Sequence, residues 1–122
     1  FERCVFNVLF NNRDDHAKNF SYRMAPTGDW TLAPAYDVTF SAGPRGEHHM
    51  DVEGEGANPG RPHLISLAQK AGLREKDANE TIEKFCAVSV RLKSLSDPFP
   101  LKKSTLGLIN KTIAANRARL RC

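Results

Sequence analysis

The first residues of the chain carry a pattern that predicts a buried helix. Apolar side chains recur at positions 1, 4, 5, 8 and 9 of the segment Phe1 to Phe10, with further ones at 6 and 10. This is helical spacing, and a helix that is apolar on nearly all sides is usually buried. A buried strand is the competing interpretation, because Val and Phe favour both structures. Ten residues is long for a strand, so we predict a helix.

Two aromatic-bearing runs predict a β-hairpin. Phe20 to Met24 and Trp30 to Leu32 flank the turn sequence Ala25-Pro26-Thr27-Gly28-Asp29. Pro and Gly between two such runs are typical of a hairpin with a longer loop.

The segment from Thr39 to Pro62 predicts a long loop. It contains five glycines and three prolines, and neither the helical nor the strand period persists in it. Long loops in compact domains are usually functional or mobile.

The rest of the chain predicts three helices. They run from Pro62 to a stop at Gly72, from Asp77 to Leu95, and from Lys102 to Leu120. An N-terminal proline and a C-terminal glycine bound the first of them, as is common for helices. The expected fold class is therefore mainly α with one small β-hairpin, in a single domain covering residues 1–122.

Composition narrows the class of protein only slightly. Apolar residues make up 40% of the chain, charged residues 26%, and the net charge is +4. No apolar run is long enough to span a membrane, and no signal-peptide pattern opens the chain.

The three cysteines, Cys4, Cys86 and Cys122, lack metal-ligand spacing, so we expect them to be reduced in a cytoplasmic protein. The chain begins at Phe1 inside an apolar run, which suggests a fragment of a larger protein.

The run Asn12-Arg13-Asp14-Asp15-His16-Ala17-Lys18-Asn19 is the strongest candidate for chemistry. Asp14 and Asn19 have the D-x-x-x-x-N spacing of a kinase catalytic loop, in which the aspartate accepts a proton and the amide oxygen binds magnesium. The spacing alone is weak evidence. A preceding buried helix, a following hairpin and a second acid, Asp37, occur in the order that a kinase requires, which makes the pattern moderately specific.

The same residues resemble a known family. The motif Asp14-Asp15-His16-Ala17-Lys18-Asn19-Phe20-Ser21, followed by Leu32-Ala33-Pro34-Ala35-Tyr36-Asp37, is similar to the C-terminal domain of HipA-like toxin kinases. Gly60-Arg61, Leu67-Ala68, Gly72-Leu73 and the long helix extend the resemblance over most of the chain. The fold it implies is the helical C-terminal lobe of a kinase-like protein.

The resemblance also implies roles for individual residues. Asp14 would be the catalytic base, Asn19 and Asp37 would bind Mg²⁺, and His16 and Lys18 would lie near the phosphates of ATP. His16 is equally well explained as a structural histidine, whereas a lysine such as Lys18 is more often a solvated charge than a ligand.

The resemblance implies a biological setting as well. The full-length parent would be a serine/threonine kinase toxin of a bacterial type II toxin–antitoxin pair. Its partners would be a HipB-like antitoxin, DNA through that antitoxin, and a protein substrate such as glutamyl-tRNA synthetase, with a link to persistence.

Several neighbouring residues have simpler interpretations. Asp15 should point away from Asp14 and cap the loop or pair with Arg13, and Tyr36 should pack beneath Asp37. Adjacent His48 and His49 lie in the long loop without a second pair at ligand spacing, so a solvated loop is expected rather than a metal site. The basic segment Lys111 to Arg121 is expected to be a solvated helix face.

No glycine-rich phosphate loop and no strand-borne lysine occur in the sequence, so we expect this fragment to be inactive alone.

Two other classes of function stay open. The chain is alternatively a catalytically silent helical binding module for an antitoxin or DNA. A third possibility is a metal-dependent phosphohydrolase that uses Asp14, His16 and Asp37.

Overall fold

The computed structural model describes residues 1–122 as five helices and one two-stranded hairpin, with short 3₁₀ turns at Ala17–Asn19 and Pro44–Gly46. In chain order the elements are α1 (Glu2–Phe10), β1 (Tyr22–Met24), β2 (Trp30–Leu32), α2 (Arg61–Lys70), α3 (Glu75–Val90), α4 (Leu92–Ser96) and α5 (Lys103–Leu120). The predicted fold class, mainly α with one small hairpin, is confirmed. No helix combines the length and apolar character needed to cross a bilayer.

The core forms where α1 packs against α3 and α5 while α2 covers α3. Its buried apolar residues come from four helices and one loop: Val5, Val8, Leu9, Val52, Leu64, Ile82, Cys86 and Leu120. Burial of such side chains contributes about 1.5–3 kcal/mol each. Because α1 packs against both α3 and α5, whatever follows its C-terminus has a rigid base.

The hairpin lies outside this core. Strands β1 and β2 pair antiparallel with Tyr22 opposite Leu32 and Met24 opposite Trp30. All six strand residues are exposed. The hairpin is thus joined to the domain mainly through its ends.

The long loop, residues 39–60, is folded onto the domain at several points. Val52, only 2% exposed, enters the core from a tight turn at Glu53 and Gly54, whose φ values are 56° and 82°. Val52 and Glu55 exchange both backbone hydrogen bonds across this turn, at 3.0 and 3.2 Å. The loop is therefore anchored by its own hydrophobic residue.

The predicted helix from Asp77 to Leu95 was wrong at its C-terminal end, because the chain turns at Arg91 and continues as α4. The Ser89 hydroxyl donates to the Cys86 carbonyl at 2.6 Å, and the Arg91 N–H donates to Val88 O at 3.0 Å. Hydroxyl bonds of this kind compete with the helical ladder.

The prediction of three reduced cysteines was also wrong, because Cys86 and Cys122 form a disulfide. Their Cα atoms lie 5.7 Å apart, within the ordinary range for such a bond. The pairing arises because α5 packs along α3, a contact between residues 36 positions apart that spacing alone does not reveal. Cys4 is the free cysteine.

Candidate functional site

The site loop, residues 11–20, begins with an asparagine cap at the end of α1. Asn11 adopts the left-handed conformation, with φ 57° and ψ 42°, which asparagine tolerates better than most residues. The Asn12 N–H then donates to Asn7 O at 2.9 Å, and its side-chain amide donates to Asn7 Oδ1 at 3.0 Å. The start of the site loop is therefore fixed to the buried helix.

Helix α5 holds the same end of α1. The side-chain amide of Asn116 is buried and donates to the carbonyls of Val8 and Leu9 at 3.0 and 3.2 Å. These are carbonyls of the last turn, which lack partners within the helix. One side chain from the far end of the sequence thus completes the helix that carries the site.

Arg13 joins the site loop to the long loop. Its guanidinium donates to the carbonyls of Gly46 and Ala57, the second at 2.9 Å. Gly43 has φ +70°, and a Cβ there would come within 2.6 Å of the Arg13 Cβ. Glycine is therefore required where the two loops cross.

Asp15 makes the second connection between the loops, and it is buried. Its Oδ2 lies 2.9 Å from Nδ1 of His48, and its Oδ1 accepts the Met50 N–H at 3.2 Å. Asp15 points away from Asp14 as expected, but the alternative in which it pairs with Arg13 was wrong, since the Arg13 guanidinium donates to backbone carbonyls. Burial of a carboxylate requires such partners.

Asp14 points away from Asp15 and into a cluster with two histidines. Its Oδ1 lies 3.3 Å from Nε2 of His49, and the rings of His16 and His49 stack with centroids 3.7 Å apart. One ligand atom from each of Asp14, His16 and His49 lies within 4.8 Å of the other two. The Asp14 side chain is 50% exposed and that of His49 29%, so the cluster opens to solvent.

The long loop thus contributes to the site. The expectation of a solvated loop was wrong for His48, which is buried, whereas His49 is exposed and faces Asp14. Adjacent residues point to opposite sides of an extended chain, and here one side is the buried Asp15 and the other is Asp14. The sequence analysis named His49 but did not predict its contact with Asp14. The adjacent histidine pair was a signal, but only folding shows which acids it meets.

Asn19 lies at the other end of the site loop. It is buried, and its side-chain Nδ2 donates to the Asp14 carbonyl at 3.0 Å, which leaves the amide oxygen available to a metal ion. The Arg3 guanidinium donates to Asn19 O at 3.4 Å and lies 4.5 Å above the Phe20 ring. The five-residue spacing therefore closes into one hydrogen-bonded turn.

Lys18 and Asp37 are both exposed. The Tyr36 hydroxyl donates to the Lys18 carbonyl at 2.8 Å, which ties the segment after the hairpin to the site loop. Asp37 itself has φ +52°, a conformation that few residues other than glycine adopt. It is not part of the cluster of Asp14, His16 and His49.

Burial also affects the one free thiol near the site helix. Desolvation raises the pKa of Cys4 to about 11. A thiol with so high a pKa is a poor nucleophile and a poor metal ligand at neutral pH. Cys4 is thus a packing residue of α1.

Comparison with known proteins agrees with the motif. The family model for the HipA-like C-terminal domain matches residues 1–92. A solved chain from Shewanella oneidensis MR-1, in a complex of the toxin–antitoxin system HipA and HipB with its operator DNA, superposes with a TM-score of 0.70 at 20% identity. The superposition covers 97% of this chain and 29% of the Shewanella chain, so this chain spans under a third of the length of the Shewanella chain. Among curated proteins, no match was found. Because the family model covers most of the sequence, the chain belongs to the HipA-like C-terminal domain family.

Proposed function

We propose that this chain is the helical catalytic lobe of a HipA-like serine/threonine protein kinase, with Asp14 as the catalytic base. The observation that carries the proposal is the closed turn from Asp14 to Asn19, held by the 3.0 Å bond between the Asn19 amide and the Asp14 carbonyl. A base must be accessible to the attacking hydroxyl and rigidly placed. Asp14 meets both conditions, since its carboxylate is half-exposed while its backbone is fixed.

Mg²⁺ fits the oxygen donors that the residues offer. The Asn19 amide oxygen is not used by the bond that its Nδ2 makes, and the Asp37 carboxylate is exposed. Magnesium favours few carboxylates together with phosphate and water oxygens. When bound, the ion would neutralise charge on the phosphates. The Asn19 and Asp37 side chains would hold that ion.

His16 and Lys18 are proposed to face the nucleotide phosphates. Lys18 is exposed, and none of the salt bridges in the chain involves it. An ammonium group without an acidic partner is available for a phosphate oxygen. His16 lies beside Asp14, so a group bound by His16 would be adjacent to the base.

The remaining nucleotide contacts are proposed to come from other parts of a longer protein. Phosphoryl transfer depends on several positioned charges acting together, and this chain supplies only some of them. We propose that the chain alone is inactive, that the whole protein phosphorylates a serine or threonine hydroxyl, and that its partner is a DNA-binding antitoxin of the HipB kind. The fold similarity to the Shewanella HipA chain, taken from a complex with HipB and operator DNA, supports the partner.

The test is phosphate transfer from labelled ATP by the full-length protein that contains this domain. Asp14→Asn removes the base while keeping the size of the side chain, and we expect transfer to fall about 100- to 10,000-fold. Asp29→Asn, at the exposed hairpin turn, is the matched control and should transfer like wild type. Chelation of magnesium should abolish transfer in both active proteins.

Equal transfer by Asp14→Asn and wild type would contradict the role of Asp14. No transfer by wild type, together with retained antitoxin binding, would favour the catalytically silent binding module instead.

A further inference from the structure

We propose that Asp14, His16 and His49 form a second metal site, which binds a divalent ion of the zinc class and is distinct from the Asn19 and Asp37 pair. The three side chains come from two loops, and their ligand atoms lie within 4.8 Å of one another. No feature of the proposed kinase chemistry requires His49 in this position.

The distances are close to those that a tetrahedral ion requires. With bonds of about 2.0–2.1 Å, two ligand atoms on zinc lie about 3.3 Å apart. Nε2 of His49 and Oδ1 of Asp14 already have this separation, at 3.3 Å. One ligand atom of His16 lies within 4.8 Å of the other two, and a turn of the His16 ring out of its stack on His49 would direct that atom to a shared ion.

The backbone of the site is organised without the ion. The His49 N–H donates to the Arg13 carbonyl at 3.2 Å, next to Asp14 in sequence. On the opposite side of the same two segments, Asp15 binds His48 and the Met50 N–H. These bonds hold residues 14–16 beside residues 48–50, so the binding of an ion does not carry the entropic cost of ordering either loop.

The ligand types select the ion. Two imidazole nitrogens and one carboxylate oxygen suit Zn²⁺ and related transition metals, whereas Mg²⁺ prefers oxygen donors. Three protein ligands leave a coordination position open, as in zinc sites that also bind water or a substrate group. The 50% exposure of the Asp14 side chain gives the ion a route from solvent.

Binding of zinc at this site would affect phosphoryl transfer, a consequence that rests on the proposed kinase function. A carboxylate bound to zinc is a weaker base, because the charge of the ion opposes acceptance of a proton. Zinc-class ions should therefore inhibit phosphoryl transfer by occupying Asp14, while Mg²⁺ supports transfer through other residues. The site would make the kinase sensitive to free transition metal.

The direct test is Zn²⁺ binding by the full-length protein, measured by competition with a chromophoric chelator and checked by the visible absorption of bound Co²⁺. His49→Ala should weaken Zn²⁺ binding by about 100-fold or more, since loss of even an outer-sphere partner costs about 10- to 100-fold. His63→Ala, on α2 and outside the cluster, is the matched control and should bind as wild type does. Circular dichroism establishes that each variant is folded, and His16→Ala replaces His49→Ala if the latter is not.

Unchanged Zn²⁺ affinity in folded His49→Ala or His16→Ala would overturn the proposal, as would equal loss in His63→Ala or displacement of Zn²⁺ by equimolar Mg²⁺. Because Zn²⁺ binding is measured independently of phosphoryl transfer, the metal-site proposal and the kinase proposal can fail separately. Zinc binding that depends on His49, in a protein without kinase activity, would support the metal site and contradict the kinase.

Discussion

Nδ1 of His48 lies 2.9 Å from Oδ2 of Asp15, and the two side chains are only 2% and 6% exposed. This contact fixes the distance between the site loop and the long loop, and the two residues that flank it in sequence, Asp14 and His49, meet on the opposite side. The buried pair of Asp15 and His48 therefore positions the more exposed pair of Asp14 and His49. The same geometry that stabilises the fold brings the cluster together.

Asp15→Ala should be strongly destabilising. It leaves the His48 ring and the Met50 N–H without their acceptor in a buried position, at a cost of about 3 kcal/mol. Urea denaturation followed by circular dichroism measures the change. Asp29→Ala, at the exposed turn, should stay within about 0.5 kcal/mol of wild type. A similar small change for both variants would contradict the role of the Asp15–His48 pair.

Asn116→Ala tests the connection between the last helix and the first. The carbonyls of Val8 and Leu9 would lose a buried donor, so we expect a loss of about 1–3 kcal/mol. The half-buried Asn110 on the same helix offers the matched control, Asn110→Ala. The shift in denaturation midpoint should be large only for Asn116. If both alanine variants unfold at the same urea concentration, the amide bonds to α1 contribute nothing measurable.

The disulfide should contribute measurably to stability. Opening the Cys86–Cys122 bond, which closes a separation of 36 residues, should lower the free energy of unfolding by about 3–4 kcal/mol. Thermal melts of wild type and Cys122→Ser, with and without reductant, measure this. Cys4→Ser is the control, and its melting temperature should respond to reductant as wild type does. A wild type that is insensitive to reductant would argue against the bond.

Cys4 should react slowly with iodoacetamide in the folded protein. Because burial raises its pKa to about 11, only about one thiol in a thousand is ionised at pH 8. Labelling followed by mass spectrometry should be at least about tenfold slower in buffer than in denaturant at the same pH. Equal rates in the two conditions would show that the thiol is not desolvated.

Stability should fall in acid partly through Glu55. Its carboxylate accepts the N–H groups of Asn58 and Ala57, both at 2.8 Å, and these bonds lower its pKa below the ordinary value. A lowered pKa in the folded state contributes stability above the unfolded pKa, and this contribution is lost as the pH falls through the folded value. Glu55→Gln should therefore flatten the decline in melting temperature below about pH 4.5. An identical decline in variant and wild type would contradict the bonds.

The local patterns in the sequence predicted most of the elements, although they merged α3 and α4 into one helix. The apolar spacing in Phe1 to Phe10 predicted α1, and the Pro and Gly turn between aromatic runs predicted the hairpin. The motif around Asp14 also predicted the family. These succeed because helical period, turn chemistry and short motifs are encoded by neighbouring residues.

Long-range contacts were not predictable in the same way. His49 meets Asp14 across 35 positions, a separation that depends on how Gly43, Val52 and the other anchors fold the long loop. The Cys86–Cys122 bond likewise depends on the packing of α5 along α3. Sequence periodicity does not indicate such contacts, so the partners of His48, His49 and Asp15 could not be predicted from the sequence.

The bond from Asn116 to the Val8 carbonyl spans 108 positions. During synthesis, the helix that carries the site loop is made before α5, and its last carbonyls wait for a donor from a residue made more than a hundred positions later. Contacts of such high sequence separation form slowly and late. A partly synthesised chain therefore has the motif residues without the fixed loop geometry, and any activity that depends on that geometry is delayed until residue 116 has been added and folded back.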